Sequence, residues 1–89
     1  MSVRIHTYET IVSDPHGVQY RVHAEGAEQA DSHWHGWLTF EPVQGTEWRR
    51  TERETTQSKV SDLEYWAAGL EPIYLEGALS RAHRTEGRS

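Results

Sequence analysis

The sequence predicts an α+β fold in which a four-stranded antiparallel β-meander is covered on one face by a C-terminal helix. Three observations predict it: β-branched and alternating residues dominate the first half, turns with Pro and Gly divide it, and the apolar spacing becomes three or four after Gln57. The chain has 89 residues, of which 35% are hydrophobic. A core of that size fills one sheet and one helical layer.

The first two strands are predicted over residues 3–12 and 18–25. The first is rich in Val, Ile and Thr, which favour a pleated surface, and the second alternates between apolar and polar residues. Residues 14–17 supply the turn, with a proline followed by a glycine. The alternation places Arg21 and His23 on the face opposite the core.

The third and fourth strands are predicted over residues 33–41 and 48–56. The third places Trp34 with the apolar residues and Trp37 on the other face, because side chains three apart in a strand point to opposite sides. The fourth is mostly charged, which indicates an edge strand.

The helix is predicted over residues 59–83. Gly69 and Pro72 interrupt it, so we expect a kink there or two abutting helices with the proline in the first turn of the second. One domain then spans residues 1–84, and residues 85–89 are expected to form a flexible tail. The helix is expected to cover the face formed by Tyr20, Val22, Trp34, Leu38 and Phe40.

Composition narrows the functional classes. The net charge of −5 disfavours phosphate backbones and anionic membrane surfaces, and the absence of cysteine removes disulfides and thiolate chemistry. No apolar run is long enough for a membrane span, and the N-terminus has no signal-peptide core. We therefore expect a cytoplasmic protein that is not an enzyme and uses no cofactor.

A binding surface is predicted on the outer face of the sheet around Trp37. An exposed tryptophan on an open sheet indicates a partner, either a second copy in a homodimer or another protein. Two structural alternatives stand beside it: a bulge at Gly36 returns both indoles to the core, or an arginine stacks on the Trp37 ring. The predicted surface comprises Arg21, His23, His35, Trp37 and Thr39.

Two other functions remain open. His23, His33 and His35 supply enough imidazoles for a zinc, copper or nickel site. Alternatively, Trp37 and Trp48 act as stacking platforms for a single-stranded nucleic acid. Local positive charge for that function would come from Arg49, Arg50 and Arg53.

Four segments are similar to a group of small bacterial proteins known only as hypothetical. They are residues 34–40 (WHGWLTF), 53–57 (RETTQ), 65–70 (YWAAGL) and 74–79 (YLEGAL). The resemblance extends over about half the chain. It implies a bacterial source and a stand-alone domain, and it implies no site residue.

Overall fold

The computed structural model describes residues 1–85 and shows an α+β fold with a six-stranded antiparallel sheet and two helices. Three long strands, β1 (Val3–Ser13), β2 (Gln19–Glu28) and β3 (Trp34–Pro42), form most of the sheet. The other elements are β4 (Arg49–Arg50), β5 (Thr55–Gln57), α1 (Val60–Ala68), α2 (Pro72–Arg81) and β6 (His83–Arg84).

The strands lie in the order β1-β2-β3-β4-β6, and β5 pairs with the first residues of β3. The β1–β2 turn forms as the sequence predicts, because the Asp14 carboxylate accepts hydrogen bonds from the backbone N–H groups of His16 and Val18. Gly17 completes the turn with a positive φ of 85°. The predicted meander is therefore confirmed for its first three strands.

Both helices contribute to the core on one face of the sheet, as predicted. The core contains Tyr20, Val22, Leu38 and Phe40 from the sheet, whereas Trp34 is only half-buried and lies outside it. The buried residues that complete the core are Val12, Ala24, Ala67, Leu75, Ala78 and Leu79.

A pair of glycines lets α1 approach the sheet closely. Gly26 on β2 lies opposite Gly36 on β3, and the fully buried Leu63 of α1 rests on both. A Cβ added to either glycine would lie 2.5 Å from a Leu63 methyl group, which is closer than two carbons can pack. Gly36 therefore marks a helix contact, and the bulge considered for it is not observed there.

The prediction of a single fourth strand over residues 48–56 was wrong in detail. The Thr51 hydroxyl accepts the Leu38 N–H, and the Glu54 N–H donates to the Gly36 carbonyl. Four residues, 51–54, thus lie opposite two on β3, Trp37 and Leu38, which bulges the chain and separates β4 from β5.

The predicted helix is divided in two, and Pro72 begins the second helix. The chain then adds β6 as a sixth strand, which the sequence did not predict. Of the predicted tail, only Thr85 lies within the described residues, and its N–H donates to the Trp48 carbonyl at 2.9 Å. No helix within residues 1–85 is long and apolar enough to cross a membrane.

Candidate functional site

The face of the sheet opposite the helices, here called the outer face, is organised in three rows across the strands. Residues directly opposite one another in an antiparallel sheet share a face, so the register defines each row. The first row is Arg4, Glu25 and Trp37; the second is Thr7, His23, Thr39, Arg50 and His83; the third is Ile11, Arg21 and Glu41.

The centre of the outer face is buried although no helix covers it. His23, Glu25, Thr39 and Trp37 are 3%, 3%, 1% and 6% exposed. The predicted direction of Trp37, away from the helices, is confirmed by its register opposite Glu25. Its predicted exposure was wrong, because other side chains lie over the ring.

Two flat side chains from the segment before and within β4 form this cover. The Arg50 guanidinium lies 4.2 Å from the centre of the Trp37 ring, and the Trp48 indole stacks on His23 with ring centres 6.3 Å apart. A guanidinium over an indole is a cation–π contact, which was one of the sequence-based alternatives. The Trp37 Nε1–H is buried without a hydrogen-bond partner among residues 1–85, so the ring contributes through its faces.

His23 is fixed by hydrogen bonds at both ring nitrogens. Its Nε2 lies 2.9 Å from the Glu41 carboxylate, and its Nδ1 lies 2.9 Å from the Thr7 hydroxyl. An ionised carboxylate only accepts, so Nε2 carries the hydrogen and the Thr7 hydroxyl donates to Nδ1 in the neutral ring. These hydrogen bonds join three strands, β1, β2 and β3. Trp48 covers the imidazole ring, so this face of the ring is closed to a substrate.

The cations at the rim of the outer face differ in their partners. Arg4 lies 3.4 Å from the Glu25 carboxylate, which compensates that buried charge. The Arg21 side chain is exposed and forms no hydrogen bond or ion pair with the rest of residues 1–85, and the Arg50 side chain has only its stack on Trp37 there. Two guanidinium groups are thus held on this face without a carboxylate.

All five residues predicted for the surface lie on the outer face of the sheet. Arg21, His23, Trp37 and Thr39 lie in the three rows, and His35 lies two residues before Trp37 on β3, where it pairs with Ala27. That spacing puts His35 about 7 Å from Trp37 along the strand, beside the first row.

The three histidines of the metal alternative are not brought together. His23 is bonded to Thr7 and Glu41, while His33 pairs with Asp31 outside the strands. The backbone N–H of His33 lowers the pKa of Asp31 by hydrogen bonding to its carboxylate. Across the described part of the chain, no group of three His, Asp or Glu residues has the arrangement of a metal site.

The stacking platforms of the nucleic-acid alternative are separated as well. Trp37 is covered by Arg50, and only the half-buried Trp48 remains near the surface. Arg49 lies opposite Phe40 and therefore points to the helical side of the sheet. No continuous aromatic and basic track follows from this geometry.

Sequence reasoning missed the residues that build the cover. Arg4, Glu25, Trp48 and Arg50 belong to the outer face, but none was among its predicted members. The missing signal is the register: once Arg50 is known to lie opposite Thr39, it becomes a diagonal neighbour of Trp37.

Comparison of the chain with protein-family models, curated proteins and solved structures finds no match.

Proposed function

We propose that this protein is a non-enzymatic binding module whose outer face takes an acidic segment of another protein. The observation that carries the proposal is a set of guanidinium groups without a carboxylate partner, at a sheet face that no helix covers. Trp37 acts in it as the buried support beneath Arg50, and it is not itself the contact surface.

The arginines are placed for a carboxylate-bearing partner. Arg21 is unpaired on the third row, and Arg50 lies flat on Trp37 on the second. Arg53 is exposed and unpaired among the described residues, and it lines a hollow of about 280 Å³ together with Arg50 and His83. Glu52 also lines this hollow, but its carboxylate lies 3.3 Å from His83 and not against either arginine. Guanidinium groups form two parallel hydrogen bonds with a carboxylate, so each of the three can take one acidic side chain.

Local charge supports a short acidic protein segment over a nucleic acid. The outer-face rows carry Arg4, Arg21 and Arg50 against Glu25 and Glu41, a sum of +1 when histidines are neutral. The chain as a whole is −5, so the remainder carries −6. A long polyanion would extend beyond the outer face and be repelled by the negative charge of the remainder. A short acidic segment contacts only the outer face, where the arginines lie.

The residue types on the outer face fit an interface in which a few residues contribute most of the binding free energy. Arg and Trp are enriched among residues that dominate binding, and Trp48 and Arg50 are already held in place by their stacks on His23 and Trp37. A side chain fixed before binding loses less conformational entropy when the partner arrives.

Fluorescence anisotropy with a labelled glutamate-rich peptide of about ten residues, the length of β2, tests the proposal. We expect the peptide to bind at low salt and a glutamine-rich peptide of equal length to fail. Arg21→Glu is expected to weaken binding at least about tenfold, because a guanidinium that met the peptide is replaced by a like charge. The Arg21 side chain has no hydrogen bond or ion pair with the described residues to lose, and a second carboxylate opposite Glu41 costs at most about 1 kcal/mol, so the variant should fold.

Lys59→Glu is the matched control, since it makes the same charge change at an exposed residue just before α1. Equal weakening by both variants would show attraction to net charge alone and would overturn the site. A thymidine oligonucleotide that binds more tightly than the peptide would overturn the choice of partner. Sedimentation that shows a stable dimer, together with loss of the dimer in Arg21→Glu, would assign the outer face to a second copy instead.

A further inference from the structure

A separate cleft lies on the helical side of the sheet, between the β1–β2 turn and α2. Its volume is about 560 Å³, which is within the range of small-molecule sites. The residues that matter for its chemistry are Asp14, His16, Arg49, Glu76, Leu79 and Ser80. None of them belongs to the outer face.

Arg49 is the cationic group of this cleft, and it is anchored at one end only. Its Nε donates to the hydroxyl of the buried Tyr20 at 3.2 Å, which fixes the plane of the guanidinium. Its two terminal nitrogens form no hydrogen bond or ion pair with other residues of the described chain. Arg49 also lines an adjoining hollow of about 410 Å³, so it stands between two spaces that a ligand can enter.

Two carboxylates face the same cleft. Asp14 uses one oxygen, Oδ1, to accept the two backbone N–H groups of the turn. Glu76 is exposed on α2 and has no hydrogen bond or ion pair with the described residues. With His16 neutral, Arg49, Asp14 and Glu76 sum to −1, so the lining does not favour a simple anion.

We propose that this cleft binds a small amphoteric molecule, whose carboxylate is held by Arg49 and whose ammonium group is held by Glu76 and Asp14. A carboxylate matches the free side of the guanidinium, and an ammonium group satisfies carboxylates that lack a cationic partner. The exposed Pro15 offers apolar surface to the methylene groups between the two charges, and the buried Leu79 forms the apolar floor beside it.

A series of ω-amino acids tests the proposal and measures the spacing of the two charges. Glycine, β-alanine, γ-aminobutyrate and 5-aminovalerate are titrated into the labelled protein, and backbone amide shifts in NMR spectra report binding. Propionate and propylamine serve as probes with one charge each. We expect one amino acid to bind at least about tenfold more tightly than either singly charged probe, with shifts at His16 and Ser80.

Glu76→Gln separates the two halves of the site. This exposed residue can be changed without touching the core, and the variant is expected to lower amino-acid affinity several-fold towards that of propionate, because Asp14 alone is left to hold the ammonium group. Glu71→Gln, at the exposed residue before α2, is the matched control and should leave affinity unchanged. Arg49→Lys keeps the positive charge but loses the pair of parallel N–H donors of the guanidinium, so the affinity for the amino acid should fall several-fold.

Three results would overturn the inference. If propionate binds as tightly as the best amino acid, the cleft is a site for anions only. If propylamine binds as tightly as the best amino acid, the cleft is a site for cations only. The absence of amide shifts with every probe at about 10 mM would remove the site altogether, since two charge-assisted contacts of about 1.5–3 kcal/mol each correspond to affinity near the millimolar range.

Discussion

At the scale of single residues, Tyr8 connects the edge strand β1 to the end of α1. Its hydroxyl donates to the Ala67 carbonyl at 2.6 Å, in the last turn of the helix, where carbonyls lack an intrahelical partner. Burial raises the pKa of Tyr8, and the nearby Tyr74 raises it further. Burial also raises the pKa of Tyr74, and its hydrogen bond to Glu54 acts in the same direction.

We predict that the free energy of unfolding falls as the pH rises above about 10, and that Tyr8→Phe removes part of this fall. A tyrosine in the unfolded chain loses its proton near pH 10, whereas the fold keeps it protonated to higher pH. The stabilisation by the neutral hydroxyl is therefore complete below about pH 10 and is lost above it. At pH 7 we expect the variant to lose about 1 kcal/mol with the hydrogen bond.

Urea unfolding at several pH values between neutrality and pH 11 measures this dependence. Tyr65→Phe is the matched control, because the Tyr65 side chain is 85% exposed. The same change in pH dependence in both variants would contradict the assignment to Tyr8. A residual slope in Tyr8→Phe is expected from Tyr74.

The tryptophans show where residue-level prediction succeeds and where it ends. Period-two alternation along β3 correctly placed Trp37 on the face away from the helices. Its burial depends on Arg50, which is thirteen positions away in the sequence and reaches Trp37 only through the pairing of β4 with β3. Trp34 was assigned to the core by the same alternation, but at the first position of β3 it is only half-buried.

At the scale of elements, local chemistry indicates where the helical region is divided, but it does not identify the residue that caps α1. Pro72 has no N–H and suits the first turn of a helix, so the division into two helices followed from the sequence. Ser58 and Ser61 both have side chains that suit an N-cap, yet the chain turns into the helix at Lys59. The helix nevertheless begins within one residue of the predicted start, and the contact of Leu63 with the glycine pair holds its first turn on the sheet.

Lys59→Ser is predicted to stabilise the protein by about 0.5–1 kcal/mol. Lys59 has the extended backbone of an N-cap, with φ −138° and ψ 156°, but forms no side-chain cap hydrogen bond. A serine there can accept an N–H of the first turn, and the change also removes a positive charge from the positive end of the helix dipole. Thermal and urea unfolding measure the gain.

Lys59→Ala separates the two causes, because it removes the charge without adding a cap. We expect Lys59→Ser to be more stable than Lys59→Ala by at least about 0.5 kcal/mol. Equal stability of the two variants would show that the hydroxyl does not cap α1.

At the scale of the whole molecule, the sequence predicted a sheet covered by helix on one face, but not the sixth strand that pairs with β4. The class, the three long strands and the covered face follow from periodicity, which reports which side of an element is apolar. The pairing of β6 with β4 joins residues more than thirty positions apart through two-residue strands, which are too short to show any period. The mixed charges of residues 49–54 gave no indication that Thr51 would be buried.

The C-terminal residues hold the short strand β4 on the side away from β3. β4 has two residues and is held between β3 and β6, while Thr85 donates to the Trp48 carbonyl and Arg84 lies 2.6 Å from Glu47. A chain that ends at Ala82 loses these contacts on one side of β4. We expect it to lose about 1–2 kcal/mol of stability, because one backbone hydrogen bond and exposed ion pairs are removed together with the β6 pairing.

The same shortened chain should also loosen the cover of the outer face, because Trp48 is held by the segment that is removed. Acrylamide quenching of tryptophan fluorescence is therefore expected to rise, and the rise should vanish when the shortening is made in a Trp48→Phe chain. A chain that ends at Thr85 isolates the contribution of residues 83–85. If the chain that ends at Ala82 keeps both the stability and the quenching of the full chain, β6 does not hold Trp48 on His23, and the stacked cover of the outer face stands on β3 and β4 alone.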